Sequence, residues 1–182
     1  MVKREKLFSK SILVLFIIFL IWVLLQFIAP LALPKGSVSD LSGLTALSDN
    51  EEVIDSMPAP WNYVYSAGDK MCHEKAERSF FLNDNQMPFC SRCTAIWLGL
   101  AIGIGFMVFY KIELDEKFVF LIIIGLVPIG VDGLGQLFGL WESTNIIRVI
   151  TGLLIGSIAG FAIGIIVDEI RDIIYLNKTQ NN

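Results

Sequence analysis

Polar and apolar positions along this chain fall into long uniform blocks, not short alternations. A bilayer-spanning helix takes about 20 mostly apolar residues, and four blocks meet that length: Ser11 to Ala29, Thr94 to Tyr110, Phe118 to about Leu140, and Ile146 to Val167. The first block is broken only by Gln26 between Ile12 and Phe27. It exceeds the roughly 7–15 apolar residues of a cleaved signal peptide, so it reads as a retained spanning helix. Pro30 and Pro34 follow and are expected to stop it. The pattern predicts an all-α polytopic membrane protein: four transmembrane helices with a Cys/His-containing outer loop. It divides into residues 1–29 (N-terminus and first helix), 30–62 (an acidic linker), 63–167 (the Cys/His loop and a three-helix bundle) and 168–182 (a tail).

Composition agrees. Hydrophobic residues make up 54% of the 182 positions and charged residues 18%, with a mean hydropathy of +0.65. The net charge of −4 excludes nucleic acid as a partner, since that function needs a basic stripe, and leaves the lipid bilayer as the predicted surroundings. Lysine and arginine near helix ends set orientation. Lys3, Arg4, Lys6 and Lys10 oppose one acid, Glu5. This predicts a multi-pass protein of the cell membrane with cytoplasmic N- and C-termini and residues 30–93 extracytoplasmic. Lys111 to Lys117 then returns inside, Trp141 to Thr144 forms a short outer turn, and the tail from Asp168 is cytoplasmic. The Asn177-Lys178-Thr179 sequon falls on that tail, where it has no expected role.

Small residues mark helix seams in lipid, where no hydrophobic drive brings helices together. The fourth block carries Gly152, Gly156, Gly160 and Gly164 at a spacing of four, the second Gly99 and Gly103, and the third Gly125, Gly130, Gly133, Gly135 and Gly139. These stripes predict a tight bundle of helices two to four, with helix one peripheral. Pro128 is expected to kink helix three. Asp132 follows one turn later; a carboxylate in a span is costly unless paired, which makes it a functional candidate. Gln136 shares its face. The short turn to helix four brings Arg148 to similar depth, predicting an Asp132–Arg148 ion pair, direct or bridged by Gln136 or water. That pair serves chemistry or simply clamps the hairpin. Glu142-Ser143-Thr144-Asn145 forms the outer turn, with Ser143 or Thr144 as the cap of helix four. A helix N-terminus beside Arg148 favours an anion, so Arg148, Asn145 and Glu142 are the candidate binders of an anionic headgroup.

Chemistry concentrates just ahead of the second span. Cys72, His73, Cys90 and Cys93 lie within 22 positions. Cys-x-x-Cys is half of many tetrahedral zinc sites, and Cys72 with His73 would complete one. Adjacent residues on extended chain point apart, so these two reach one metal only from a tight turn; three ligands plus water is the open, catalytic form. Outside the cytoplasm cysteines usually pair, and three leaves one over. Cys90 and Cys93 are also similar to the outward redox pair of membrane thiol oxidases that pass electrons to quinone, although the second outer loop here has no cysteine pair. Buried, inert thiols are the third reading. Pro58 to Tyr65 is aromatic enough to lie at the interface, Trp22, Trp97 and Trp141 fit anchor positions, and Arg78 to Phe81 is read as a short interfacial helix. Lys35 to Met57 reads as a linker or short helix.

Together, Met71-Cys72-His73, Glu77-Arg78-Ser79-Phe80-Phe81, Pro88-x-Cys90-x-Arg92-Cys93-Thr94, Asp132-Gly133-x-x-Gln136 and Glu142-Ser143-Thr144-Asn145-x-x-Arg148-x-x-Thr151-Gly152 resemble the uncharacterised prokaryotic membrane family called domain of unknown function 2085. The resemblance runs from about Tyr63 to the end of helix four. The family pattern often has glutamine where this chain has Glu74, and glycine where it has Ala95. No activity is implied by it. The functional expectation is an outward Cys/His zinc site beside an intramembrane cluster of Asp132, Gln136 and Arg148, acting on lipid headgroups or lipid-linked substrates. The alternatives are a thiol–disulfide oxidoreductase using Cys90 and Cys93, and a non-catalytic assembly or transport component.

Overall fold

A computed structural model describes residues 2–3, 9–41 and 48–180. Among them, four helices are long and apolar enough to cross a membrane: α1 (Lys10–Ala32), α4 (Ser91–Phe109), α5 (Glu116–Leu137) and α6 (Asn145–Gln180). Their outward faces carry exposed Val14, Ile17, Phe120, Ile124, Ile150 and Ile166, as a bilayer requires. Between α1 and α4 lie α2 (Glu51–Asp55), α3 (Trp61–Met71), a 3-10 turn (Ala76–Arg78), and strands β2 (Ser79–Leu82) and β3 (Asn85–Cys90). A two-residue strand β1 (Val2–Lys3) pairs antiparallel with β4 (Lys111–Ile112), opposing Val2 to Ile112. Lys111 also bonds Asp172 of α6 at 2.9 Å. The N-terminal strand, the α4–α5 connection and the late part of α6 therefore share one end of the bundle. Of the basic N-terminus, Arg4 and Lys6 lie outside the described residues.

Two local expectations are revised. Pro30 does not end α1, which continues to Ala32 before Pro34. The segment expected as an interfacial helix at Arg78 to Phe81 is instead the start of a β-hairpin, Phe81 opposing Gln86 and Leu82 opposing Asn85. Its turn residues Asn83 and Asp84 have φ of +54° and +57°, the left-handed pair that a tight two-residue hairpin turn demands and that Asn and Asp tolerate best. The described part of the acidic linker is tied down; residues 42–47 of it lie outside the described residues. Fully buried Asn85 donates to the carbonyls of Pro30 (2.8 Å) and Pro34 (2.9 Å) and accepts from Val38 N–H at 2.9 Å. Gln86 likewise accepts from Leu41 N–H at 2.9 Å. Val38, Leu41, Ile54 and Met57 bury against Ala29, Leu33, Val64 and Tyr65 as a small outer core.

The glycine stripes hold for one helix pair. A Cβ on Gly160 would lie 2.5 Å from the Leu100 carbonyl oxygen, one on Gly99 2.5 Å from that of Leu153, and one on Gly152 2.6 Å from that of Arg92. Helices α4 and α6 thus touch backbone to backbone, the contact small residues permit in lipid. Helix α5 is different. It buries Phe118, Gly125, Asp132 and Gly135, while Gly130 and Gly133 face open space. Helix α1 is no more peripheral than α5: it packs Ile12 into the core around Ile104, Met107 and Ile165, to which α5 adds Phe118. Gly160→Ala is expected to destabilise the fold by about 1–3 kcal/mol through overpacking, whereas Gly133→Ala should be neutral or stabilise by up to about 1 kcal/mol through helix propensity. Unfolding in mixed micelles measures both, and equal effects would refute the close α4–α6 seam.

Candidate metal centre and its cationic pocket

The site gathers at the other end of the bundle, where α3, the hairpin and the N-termini of α4 and α6 meet. Cys72 is the residue after α3, its N–H bonded to the Gly68 carbonyl at 2.8 Å. Cys90 ends β3 and caps α4, and Cys93 lies in that helix's first turn. The three sulfurs fall within 4.8 Å of one another, and all three thiols are free. Zinc–sulfur bonds of about 2.3 Å place tetrahedral sulfurs roughly 3.8 Å apart, so this cluster has the size a metal ion needs. Backbone N–H groups of Arg92 and Cys93 point at the Cys90 sulfur, and that of Glu74 at the Cys72 sulfur. Hydrogen bonds from the Cys72 and Cys93 thiols, then these amides, hold the Cys90 thiol well below its ordinary pKa. Cys72 is pushed up to about 11, chiefly by sharing that proton with Cys90.

His73 sits outside the sulfur triad. Cys72 points inward and is 3% exposed, while its neighbour is exposed on the rim of the same cavity. The chain reverses only at Glu74, whose φ is +41°. That cavity, about 170 Å³, is lined by Cys72, Cys90 and Cys93 together with Lys75, Arg78, Arg92 and Arg148.

Behind the cavity runs a polar network through three helices. Arg92 of α4 pairs with buried Asp132 of α5. Asp132 also accepts from Gln136 Nε2 at 3.1 Å and from the Trp141 indole at 3.4 Å. Gln136 Oε1 in turn accepts from Arg148 Nη2 at 3.2 Å. Arg148 and Ser91 both donate to Asn145 Oδ1, at 3.1 and 2.9 Å. The Asp132–Arg148 connection thus takes its Gln136-bridged form, and the direct partner of Asp132 is Arg92. Its signal was available: Arg92 opens α4 as Arg148 opens α6, at the same end of two helices that pack side by side. Glu142 stands at the edge, bonded to Arg78 at 3.1 Å. Thr144 caps α6, accepting from Ile147 N–H at 3.3 Å. Trp141 lies over Gly135 and is 44% exposed, while Trp22 and Trp97 pack with Phe89.

A family model described as "Predicted membrane protein (DUF2085)" matches residues 72–162, half the chain, beginning at the first thiol. The chain belongs to the DUF2085 family. An uncharacterized protein of Methanocaldococcus jannaschii is 33% identical over 162 residues, covering 85% of this chain and 88% of that relative. A second uncharacterized protein, from Methanothermobacter thermautotrophicus, is 36% identical over 83 residues, 46% of this chain and 75% of the relative. No solved structure matches the chain. This DUF2085 protein is therefore a membrane protein with a three-cysteine cluster that could hold a metal ion.

One buried acid stands beside the thiols. Glu74 is fully buried and neither carboxyl oxygen has a hydrogen-bond partner among the described residues. Burial first, then the negative charges of Asp69 and Cys90, raise it from 4.5 to about 9. Above pH 4.5 the unfolded chain has released this proton while the native state keeps it, so stability falls with rising pH until about pH 9. Glu74→Gln should therefore raise the unfolding temperature at neutral pH, by a margin that widens between pH 5 and pH 9 in melts followed by circular dichroism. A margin that is flat or shrinks would refute the buried carboxyl. For the ion pair, Asp132→Asn strands Arg92 and is expected to cost about 3–5 kcal/mol. Pairing it with Arg92→Met should restore much of that loss, a coupling readable in a double-mutant cycle.

Proposed function

We propose that this protein is a zinc-binding membrane protein whose metal centre works on the anionic headgroup of a lipid or lipid-linked substrate at the extracytoplasmic face. The observation that carries this reading is the convergence of three sulfurs in a cavity that is also lined by three arginines and a lysine. Cys72, Cys90 and Cys93 hold the ion, and His73 closes the fourth corner from the rim. Amide donors to the Cys90 and Cys72 sulfurs stabilise the thiolate forms that metal binding needs. A bound zinc ion supplies Lewis acidity, or an activated water, at that wall. Arg148 binds the anionic group beside Asn145 and Glu142. Asp132 holds Arg92 toward the cavity, and Gln136 couples Asp132 to Arg148, so that shifting either cation disturbs the other. The excess of Lys and Arg at the opposite end supports placing this site outside.

A second reading is favoured by the depressed Cys90 thiol: a thiol–disulfide exchange pair with Cys93, linked to quinone. Elemental analysis of purified protein separates the two. The metal reading expects one zinc per chain, lost in Cys72→Ser and in Cys93→Ser. Cobalt substitution then reads the fourth ligand, with a ligand-field spectrum that shifts in His73→Ala. A metal-free protein carrying a Cys90–Cys93 disulfide establishes the redox reading instead.

A further inference from the structure

A second cavity adjoins the first. It measures about 180 Å³ and is lined by Met71, Phe89, Cys93, Ile96 and Trp97. Met71 and Cys93 are walls of both. The two differ sharply in chemistry: four cations line the upper one, and the lower has no charged wall residue among those described. Trp97 follows Cys93 by one helical turn, about 6 Å further along the spanning helix α4. The lower cavity therefore descends from the thiols into the hydrocarbon layer. Trp97 is itself backed by Trp22 and Phe19 of α1, whose ring centroids lie 6.0 Å from its own.

Charge decides what the upper cavity takes. Arg92 is matched by Asp132 and Arg78 by Glu142, but Arg148 and Lys75 have no carboxylate partner among the described residues. Arg148 is only 4% exposed and its side-chain partners, Gln136 and Asn145, are neutral, so a bound anion would give this buried cation the direct counter-ion it lacks. A choline head would bring another cation into this wall. A doubly charged phosphate monoester would satisfy it, with bidentate geometry available at arginine.

We propose that the ligand is a membrane lipid with a phosphate monoester head, its phosphate in the arginine pocket and its chain in the Met71–Phe89–Ile96–Trp97 groove. This rests on the anionic-headgroup reading above and narrows it to one amphiphile class. The chain enters laterally from the bilayer, so the groove sorts lipid from free phosphate, and the arginines sort phosphate monoester from zwitterionic heads. Cys93 borders both parts of the ligand and places the metal centre at the head–tail junction.

The test uses the full chain in phosphatidylcholine nanodiscs doped with phosphatidic acid brominated on its acyl chains, which quenches nearby indoles. The Trp97 signal is the difference between the full chain and Trp97→Phe. Brominated phosphatidic acid should quench it severalfold more effectively than brominated phosphatidylcholine at equal doping. Unbrominated phosphatidic acid should compete this away, and both Arg78→Gln on the rim and Arg148→Gln should weaken it. Equal quenching by the two lipids overturns the proposal. So does a preference that survives both arginine variants, which would be general enrichment of acidic lipid. Inorganic phosphate that abolishes the preference at matching concentration makes this a free-phosphate site and overturns it too. Zinc analysis of the same nanodiscs reads the metal separately. Zinc without lipid preference refutes only the lipid assignment, and lipid preference without zinc refutes only the metal assignment.

Discussion

Backbone contact between α4 and α6 is the constraint from which the site follows. In a bilayer two apolar helices gain nothing by hiding side chains from lipid, so association depends on close packing. Gly99 and Gly103 on one helix and Gly152, Gly156 and Gly160 on the other remove the side chains that would hold the axes apart. Because Gly152 rests against the Arg92 carbonyl, the N-termini of both helices lie at one level. That register puts Ser91 beside Asn145 and aligns Arg92 with Arg148. Two helix N-termini and two arginines then share a small volume, to which the outer segment adds Lys75 and Arg78.

Helix α5 answers that positive field. Few of its side chains are buried, and its upper half is attached through Asp132 and Gln136. Asp132 is thus both the counter-ion of Arg92 and the main polar tether of a helix that packing alone holds weakly. A carboxylate buried in a span is tolerated because cation, amide and indole all reach it. The same economy appears in the outer segment. Asn85 and Gln86 satisfy backbone groups of the chain leaving α1, fixing the hairpin whose last residue is Cys90. The thiols converge because the hairpin delivers Cys90 to the top of α4 while α3 ends on Cys72.

Much of this was legible in the chain itself. Spans, glycine seams, the Asp132–Gln136–Arg148 connection and the grouping of thiols follow from apolar run length, spacing of four, and local density of soft ligands. The hairpin was missed because Phe80-Phe81-Leu82 and Met87-Pro88-Phe89 are too short for periodicity to tell strand from helix, and the deciding signal is the Asn83-Asp84 turn. Gly130 and Gly133 of α5 face open space: a stripe says where a partner fits, not that one is present.

Sequence alone determined which segments enter the bilayer, since that depends on one residue's transfer energy after another. It also determined which residues can carry chemistry, because a carboxylate or guanidinium in a span is costly anywhere. Tertiary structure alone decided the partners: Arg92 rather than Arg148 against Asp132, His73 on the rim rather than among the sulfurs, and a cationic cavity sharing Cys93 with an apolar groove. Those choices depend on helix register and on the path of an irregular loop. Both are fixed by contacts between residues 40 to 60 positions apart in sequence, such as Arg92 with Asp132 and Ser91 with Asn145, which no local pattern encodes.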